Sequence, residues 1–191
     1  MAFATIDVTK GITGTIPVAN GGTGLASGTT GQFLKFTGST TVASSALGDV
    51  GKLLQVEYFF THSDISTSAT SDTATIVTDQ ITPSATDSKI IVQVGGGRGS
   101  NAGGAAEGDI KLYRQIGGGG YSELQVAMLD NVNHATNGGY GKPTSAFIYV
   151  DTSHNTTSAI DYKIYIKTNA NTYYFNSGGA QMAMMLMEVA A

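Results

Sequence analysis

From Leu53 onward, apolar and polar residues alternate in short runs, each closed by Gly, Asn, Asp, Ser or Thr. Runs of that length and spacing are the pattern of strands in a sandwich. Nine strands are predicted, near residues 53–61, 74–78, 89–94, 109–116, 122–129, 144–150, 159–167, 172–176 and 181–189. In the seventh, Ile160, Tyr162, Ile164 and Ile166 fall on one side, with Asp161, Lys163, Tyr165 and Lys167 on the other. One face is therefore dry and one wet. Leu124, Val126 and Met128 repeat this in the fifth strand, opposite Glu123 and Gln125. Nothing between the strands has room for a crossover helix, which makes antiparallel connection the default. The expected fold class is all-β, an antiparallel jelly-roll sandwich of about eight or nine strands.

The last strand departs from the alternation. Met182, Met184 and Leu186 lie on one face and Ala183, Met185, Met187 and Val189 on the other, so both faces are apolar. A strand with two dry faces needs two partners. One is the opposing sheet, and the other is a covering loop or a second copy of the chain. The prediction is a homotrimer in which three such strands converge on one axis, with Met182, Met184, Met185, Leu186 and Met187 as its interface.

Residues before Leu53 read differently. Phe3, Ile6, Val8, Ile12, Ile16 and Val18 stand among Thr, Gly and Asp at no sustained period, as in an extended arm without its own core. Asn20-Gly21-Gly22 is a turn signal. Phe33, Leu34 and Phe36 form one short strand that buries too little to be stable alone. The predicted divisions are an arm over 1–24, a linker or shaft segment over 25–51, and a head over 52–191.

Composition narrows the chemistry. Glycine, threonine and serine (26, 25 and 16 of 191 residues) outweigh the good helix formers, and only 13% of residues are charged. The net charge is −4, with only Arg98 and Arg114 as arginines, which argues against nucleic acid as a partner. No run approaches the roughly 20 apolar residues of a membrane helix, so membrane insertion is not expected. Met1-Ala2-Phe3-Ala4-Thr5 lacks the start of a signal peptide. The absence of cysteine excludes disulfides and thiolate chemistry.

No enzymatic activity, metal or cofactor is expected. His62, His134 and His154 lack the spacing that sets two ligands on one element, and each reads as a solvated loop histidine. No G-x-S-x-G elbow is present. Glu107, Asp109 and Glu123 are the carboxylates that could pair for glycoside hydrolysis, though carboxylates at strand edges are usually solvated. Gly95-Gly96-Gly97-Arg98-Gly99-Ser100-Asn101-Ala102 follows a strand in the shape of a dinucleotide fingerprint. The glycines after it preclude the phosphate-binding helix, so 95–108 is expected to be a long loop. Tyr121, His134 and Tyr140 lie in or beside Gly- and Asn-rich loops and are the candidate receptor-binding residues, since rings on polar loops stack on sugars as well as on protein.

Three segments carry a resemblance. Gly14-Thr15-Ile16-Pro17-Val18-Ala19-Asn20-Gly21-Gly22-Thr23-Gly24 resembles a short element of bacteriophage tail-fibre and related virion fibre proteins, and Gly28-Thr29-Thr30-Gly31-Gln32-Phe33-Leu34-Lys35-Phe36-Thr37-Gly38 is similar to a repeat that follows it there. The block from Lys52-Leu53-Leu54-Gln55-Val56, through Ile81-Thr82-Pro83-Ser84-Ala85-Thr86-Asp87-Ser88-Lys89-Ile90, to Met185-Leu186-Met187-Glu188-Val189 resembles a domain at the ends of phage fibres. The resemblance implies homotrimers assembled in the host cytoplasm, with a head like the jelly roll of tumour necrosis factor. It also implies that the N-terminal segment docks on another virion protein, here through Phe3, Ile6, Val8, Ile12 and Ile16. About 25 residues between arm and head reach at most roughly 85 Å, short for a shaft. The expected function is a short tail or baseplate fibre whose head adheres to the host surface, with a glycan as the expected ligand. The alternative is a capsid head fibre or decoration protein with a purely structural role.

Overall fold

The computed structural model describes residues 23, 25, 28–39, 41–46, 48, 51–102, 106–133 and 144–191. Contacts divide the chain into two units, Met1–Asp49 and Val50–Ala191. All docking residues expected in the arm, from Phe3 to Ile16, lie outside the described residues.

In the first unit, β1 (Phe33–Gly38) pairs antiparallel with β2 (Thr41–Ser45), from Phe33 opposite Ser45 to Gly38 opposite Thr41. The segment expected to hold one strand thus folds back on itself as a hairpin. Ser44 Oγ donates to Gln32 Oε1 at 2.5 Å across its open end. Phe33, Leu34 and Phe36 are exposed.

The second unit is a sandwich of two four-stranded antiparallel sheets. The first has the order β10 (Phe147–Asp151), β6 (Lys89–Gly96), β13 (Met182–Val189), β3 (Leu53–Thr61). The second has the order β5 (Thr73–Ile81), β11 (Ile160–Thr168), β8 (Ala106–Ile116), β9 (Ser122–Asn133). Of the connections among these eight strands, the β8–β9 hairpin alone stays within a sheet, and every other one crosses to the opposite sheet. That is jelly-roll connectivity, as expected, and no described residue is helical. Gly117 and Gly118 make the β8–β9 turn at φ values of 57° and 76°, where a side chain would be strained.

Alternation builds the core. Ile90, Val92 and Val94 of β6 and Met182, Met184 and Leu186 of β13 face inward against Val77, Ile81, Ile110, Leu112, Ile160, Tyr162, Ile164 and Ile166 of the second sheet, all buried. Each such side chain contributes roughly 1.5–3 kcal/mol by burial. The ends of the unit are tied together, with the Gly51 amide donating to the Ala190 carbonyl and the Ala190 amide to that of Lys52, both at 2.9 Å.

A third sheet, β4 (Ile65–Thr67), β12 (Thr172–Asn176), β7 (Ser100–Ala102), closes one end. It corrects one expectation, because 95–108 is not a single loop. Residues 100–102 pair with 172–174 and β8 begins at Ala106. Tertiary pairing overrides the glycine-rich local sequence there. Gly108 within β8 lies under Tyr173, whose ring a Cβ at that position would overlap.

Candidate assembly interface

The outward face of the first sheet is apolar, and its residues come into register in rows. One row runs Tyr58, Met185, Gln93, Ile148 across β3, β13, β6 and β10; the next runs Val56, Met187, Ile91, Val150; a third runs Phe60, Ala183, Gly95. These rows carry no formal charge, and Gln93 is their one amide. Tyr58 is 70% exposed, Ile148 62% and Phe60 53%, with Val56 and Val150 also open. Four strands about 4.8 Å apart and some six residues long give a face of roughly 20 by 20 Å, or about 400 Å². Open apolar patches of that size mark interaction surfaces.

The edge strand β3 contributes Val56, Tyr58 and Phe60 to this face, while Gln55 and Phe59 turn toward the other sheet. Gln55 Nε2 donates to Glu188 Oε2 at 2.6 Å and to the Thr82 carbonyl at 2.7 Å. Glu188, fully buried on β13, also accepts from the Ser84 amide at 2.7 Å and the Ser84 hydroxyl at 2.8 Å. Burial alone would push the Glu188 carboxyl up, but hydrogen bonds from Ser88, Gln55 and Ser84 hold it below its ordinary value.

The structure separates the five residues expected at a trimer interface. Met182, Met184 and Leu186 are fully buried in the chain's own core, whereas Met185 and Met187 sit on the open face. The other contributors from β3, β6 and β10 were not singled out by sequence. The signal was present in β3, where Val56, Tyr58 and Phe60 alternate with Glu57 and Phe59, but period two names two faces without saying which is inside.

The outward face of the second sheet is different in kind. Lys111 Nζ bridges Asp72 and Glu123, each at 2.9 Å, and the Tyr113 hydroxyl donates to Asp72 at 2.7 Å. Burial raises the Asp72 carboxyl, yet Tyr113 and Lys111 hold it below its usual range. Burial and the neighbouring Asp72 push the Tyr113 hydroxyl up to about 12. Tyr113 lies 4.0 Å from Tyr165 between ring centroids, and Tyr121 lies 6.0 Å from Tyr165 with Lys163 Nζ 4.7 Å over its own ring. Tyr121, half-buried, thus belongs to this polar-aromatic face. The other two candidate receptor residues, His134 and Tyr140, lie outside the described residues.

The three carboxylates considered for hydrolysis are each engaged. Asp109 pairs with Lys167 at 3.0 Å, Glu107 accepts from the Asn169 amide, and Glu123 pairs with Lys111. Glu107 and Asp109 line a polar hollow of about 240 Å³, and Glu123 does not. His154 corrects another expectation, being buried rather than solvated, with its ring nitrogens 2.7 Å from the Ser88 carbonyl and 3.1 Å from that of Thr156. Among the described residues, no group of three His, Asp or Glu side chains could hold a metal ion, and no helix is long and apolar enough to cross a membrane.

No protein-family model matches the chain, and no curated protein matches it. Solved structures do. The infectious bursal disease virus VP2 subviral particle is similar at 13% identity over 80% of this chain, with a TM-score of 0.51. A structure of the Gx strain of that virus is similar at 12% identity over 81%, with a TM-score of 0.47. The chain spans 36% of the length of each. The first likeness shows the fold, an all-β antiparallel jelly roll.

Proposed function

We propose that the chain is a structural component of a virus particle that assembles as a homotrimer through the open face of the first sheet. The observation that carries the reading is that face: three rows of uncharged, mostly apolar side chains left open on the sandwich, among them Val56, Tyr58 and Phe60 of the edge strand. Copies of the chain covering it would remove from water what the fold leaves open. The shared fold with a virus-particle protein supports the virion setting, and the resemblance of residues 14–38 to virion fibre elements supports an N-terminal attachment to another virion protein. In this reading the head is a non-catalytic adhesion module of a short tail or baseplate fibre. Its polar-aromatic face around Tyr121 turns toward a host-surface glycan, and three weak sites per trimer add by avidity.

A capsid-borne decoration role is the second reading. It is favoured by the likeness to the structure of a subviral particle.

Light scattering on the purified full chain tests the assembly, with an expected mass three times the 19.6 kDa of the chain. A mass of one chain at tens of micromolar overturns it. Binding of the trimer to a panel of bacterial glycans, lost in Tyr121→Ala at unchanged mass, separates adhesion from decoration.

A further inference from the structure

The open face of the first sheet has relief. Across one row, bulk falls from Phe60 on β3 through Ala183 on β13 to bare backbone at Gly95 on β6, two strands or about 10 Å away. Along β3 the rings stand in file: Tyr58 and Phe60 lie 6.4 Å apart with planes 10° from parallel, and His62 meets Phe60 edge-on at 6.2 Å. This aromatic ridge, Tyr58 and Phe60, forms one wall of a hollow of about 430 Å³ that Gly95, Gln93, Ala183 and Met185 also line. A second, of about 390 Å³, continues past Gly95 to Ala146 and Ile148. These volumes fall within the roughly 300–1,000 Å³ of pockets that enclose small molecules, ample for two rings.

Among the described residues, nothing requires the hollow. A Cβ added at Gly95 would meet no atom within 4 Å, and its φ lies outside the left-handed region. The fold of a single copy makes no demand for glycine there. A second body in contact with the face would.

We infer that the Tyr58–Phe60 ridge of one copy seats in the Gly95 hollow of the next. This rests on the self-assembly proposed above. In a trimer no two-fold pairing is available, so the contact runs head to tail and closes after three copies. Ridge and hollow lie on one uncharged surface, so no like charges oppose each other when the surface meets itself. Each copy uses the face twice, giving its ridge to one neighbour and its hollow to the other. Stacked aromatics entering a mostly apolar hollow are the kind of group that dominates interface energetics.

The chain has no cysteine, so engineered thiols report without background. Tyr58→Cys and Gly95→Cys in the full chain stand two strands apart, beyond the roughly 7 Å that a disulfide within one copy can span. Under mild oxidation the double variant is expected to give covalent species of two and three chain masses and none larger, while each single variant stays unlinked. A double variant that does not link although the wild type is trimeric overturns the seat and leaves self-assembly standing. Linking by Tyr58→Cys alone, or covalent dimers without trimers, overturns the head-to-tail contact. A monomeric wild type overturns both and points to another occupant, such as the chain's own 33–45 hairpin. Gly95→Leu gives an independent reading: at least a tenfold rise in the concentration for half-dissociation, with an unchanged circular dichroism spectrum. No change in that concentration overturns the seat. If Gly95→Cys does not fold, Ala146→Cys in the adjoining hollow, which Gly95 also lines, takes its place, with the same outcomes.

Discussion

Asp151 gathers four hydrogen bonds onto a carboxylate that water does not reach. Arg114 Nη1 and the Tyr162 hydroxyl donate to one oxygen, each at 2.7 Å, and the Ser153 amide and hydroxyl to the other at 2.9 and 3.0 Å. Burial would raise this group, but Tyr162, Arg114 and Ser153 more than offset it and hold the carboxyl below its ordinary 3.8. Burial and the neighbouring carboxylate, in turn, push the Tyr162 hydroxyl far up. A carboxyl held lower in the fold than in the open chain adds stability that is complete above its unfolded value and is lost as pH falls through the folded one. Asp151 and Glu188 act in the same direction, from ordinary values of 3.8 and 4.5. The melting temperature is therefore expected to hold from about pH 7 to 5 and fall below about pH 4. Asp151→Asn leaves the part-buried Arg114 without its counter-charge, a loss of about 3–5 kcal/mol at neutral pH, and flattens the acid limb. Thermal scans by circular dichroism between pH 3 and 7 check both, and an acid limb unchanged in the variant would contradict the assignment. None of this was legible in the sequence. Asp151 meets Arg114 37 positions away and Glu188 meets Ser84 104 away, and no local pattern announces such pairs.

At the scale of elements, every one of the nine strands expected from alternation is present, because half-buried strands write their period into the chain. Three strands, β2, β4 and β7, carry no such signal. β4 and β7 have three residues each, too few to display a period, and they exist through pairing with β12. β2 is Thr- and Ser-rich and takes its place opposite β1. The hairpin was likewise read as a single strand. The two faces of β13 were legible as both apolar, and the fold assigns them: Met184 to the core and Met185 to the open side. Substitution by lysine distinguishes them. Met184→Lys buries a charge without a partner and is expected to abolish folding. Met185→Lys is expected to keep the native spectrum while lowering the mass in solution to that of one chain. Circular dichroism and light scattering on the pair decide it, and equal behaviour of the two variants would refute the division of faces.

Taken as a whole, the second unit is two-sided, with a mostly apolar surface over one sheet, bordered by Lys89, and a charged, tyrosine-rich one over the other. The sequence allowed an interface to be expected on β13 but not its extent, since that depends on which strands become neighbours, and β3 and β6 are brought beside β13, with β10 beside β6, from far along the chain. Assembly through the apolar side predicts a melting temperature that depends on concentration, because only the folded copies associate. A rise of a few degrees for each tenfold increase in protein is expected in calorimetry, and a flat dependence would indicate a unit that unfolds alone.

The strand order also bears on how the molecule is made. β13 lies between β3 and β6 in the first sheet, yet it follows every other strand of the unit in the chain. Until β13 is synthesised, β3 has no neighbour in its sheet, and the β13–β3 pairings span more than a hundred residues. At about 5–20 residues per second, the nascent chain spends several seconds with its first sheet incomplete. Closure of such distant pairs is slow in itself. Folding of the head thus waits on the synthesis of β13, and a chain interrupted before Met182 would hold β10 and β6 on one side and β3 on the other with nothing between them.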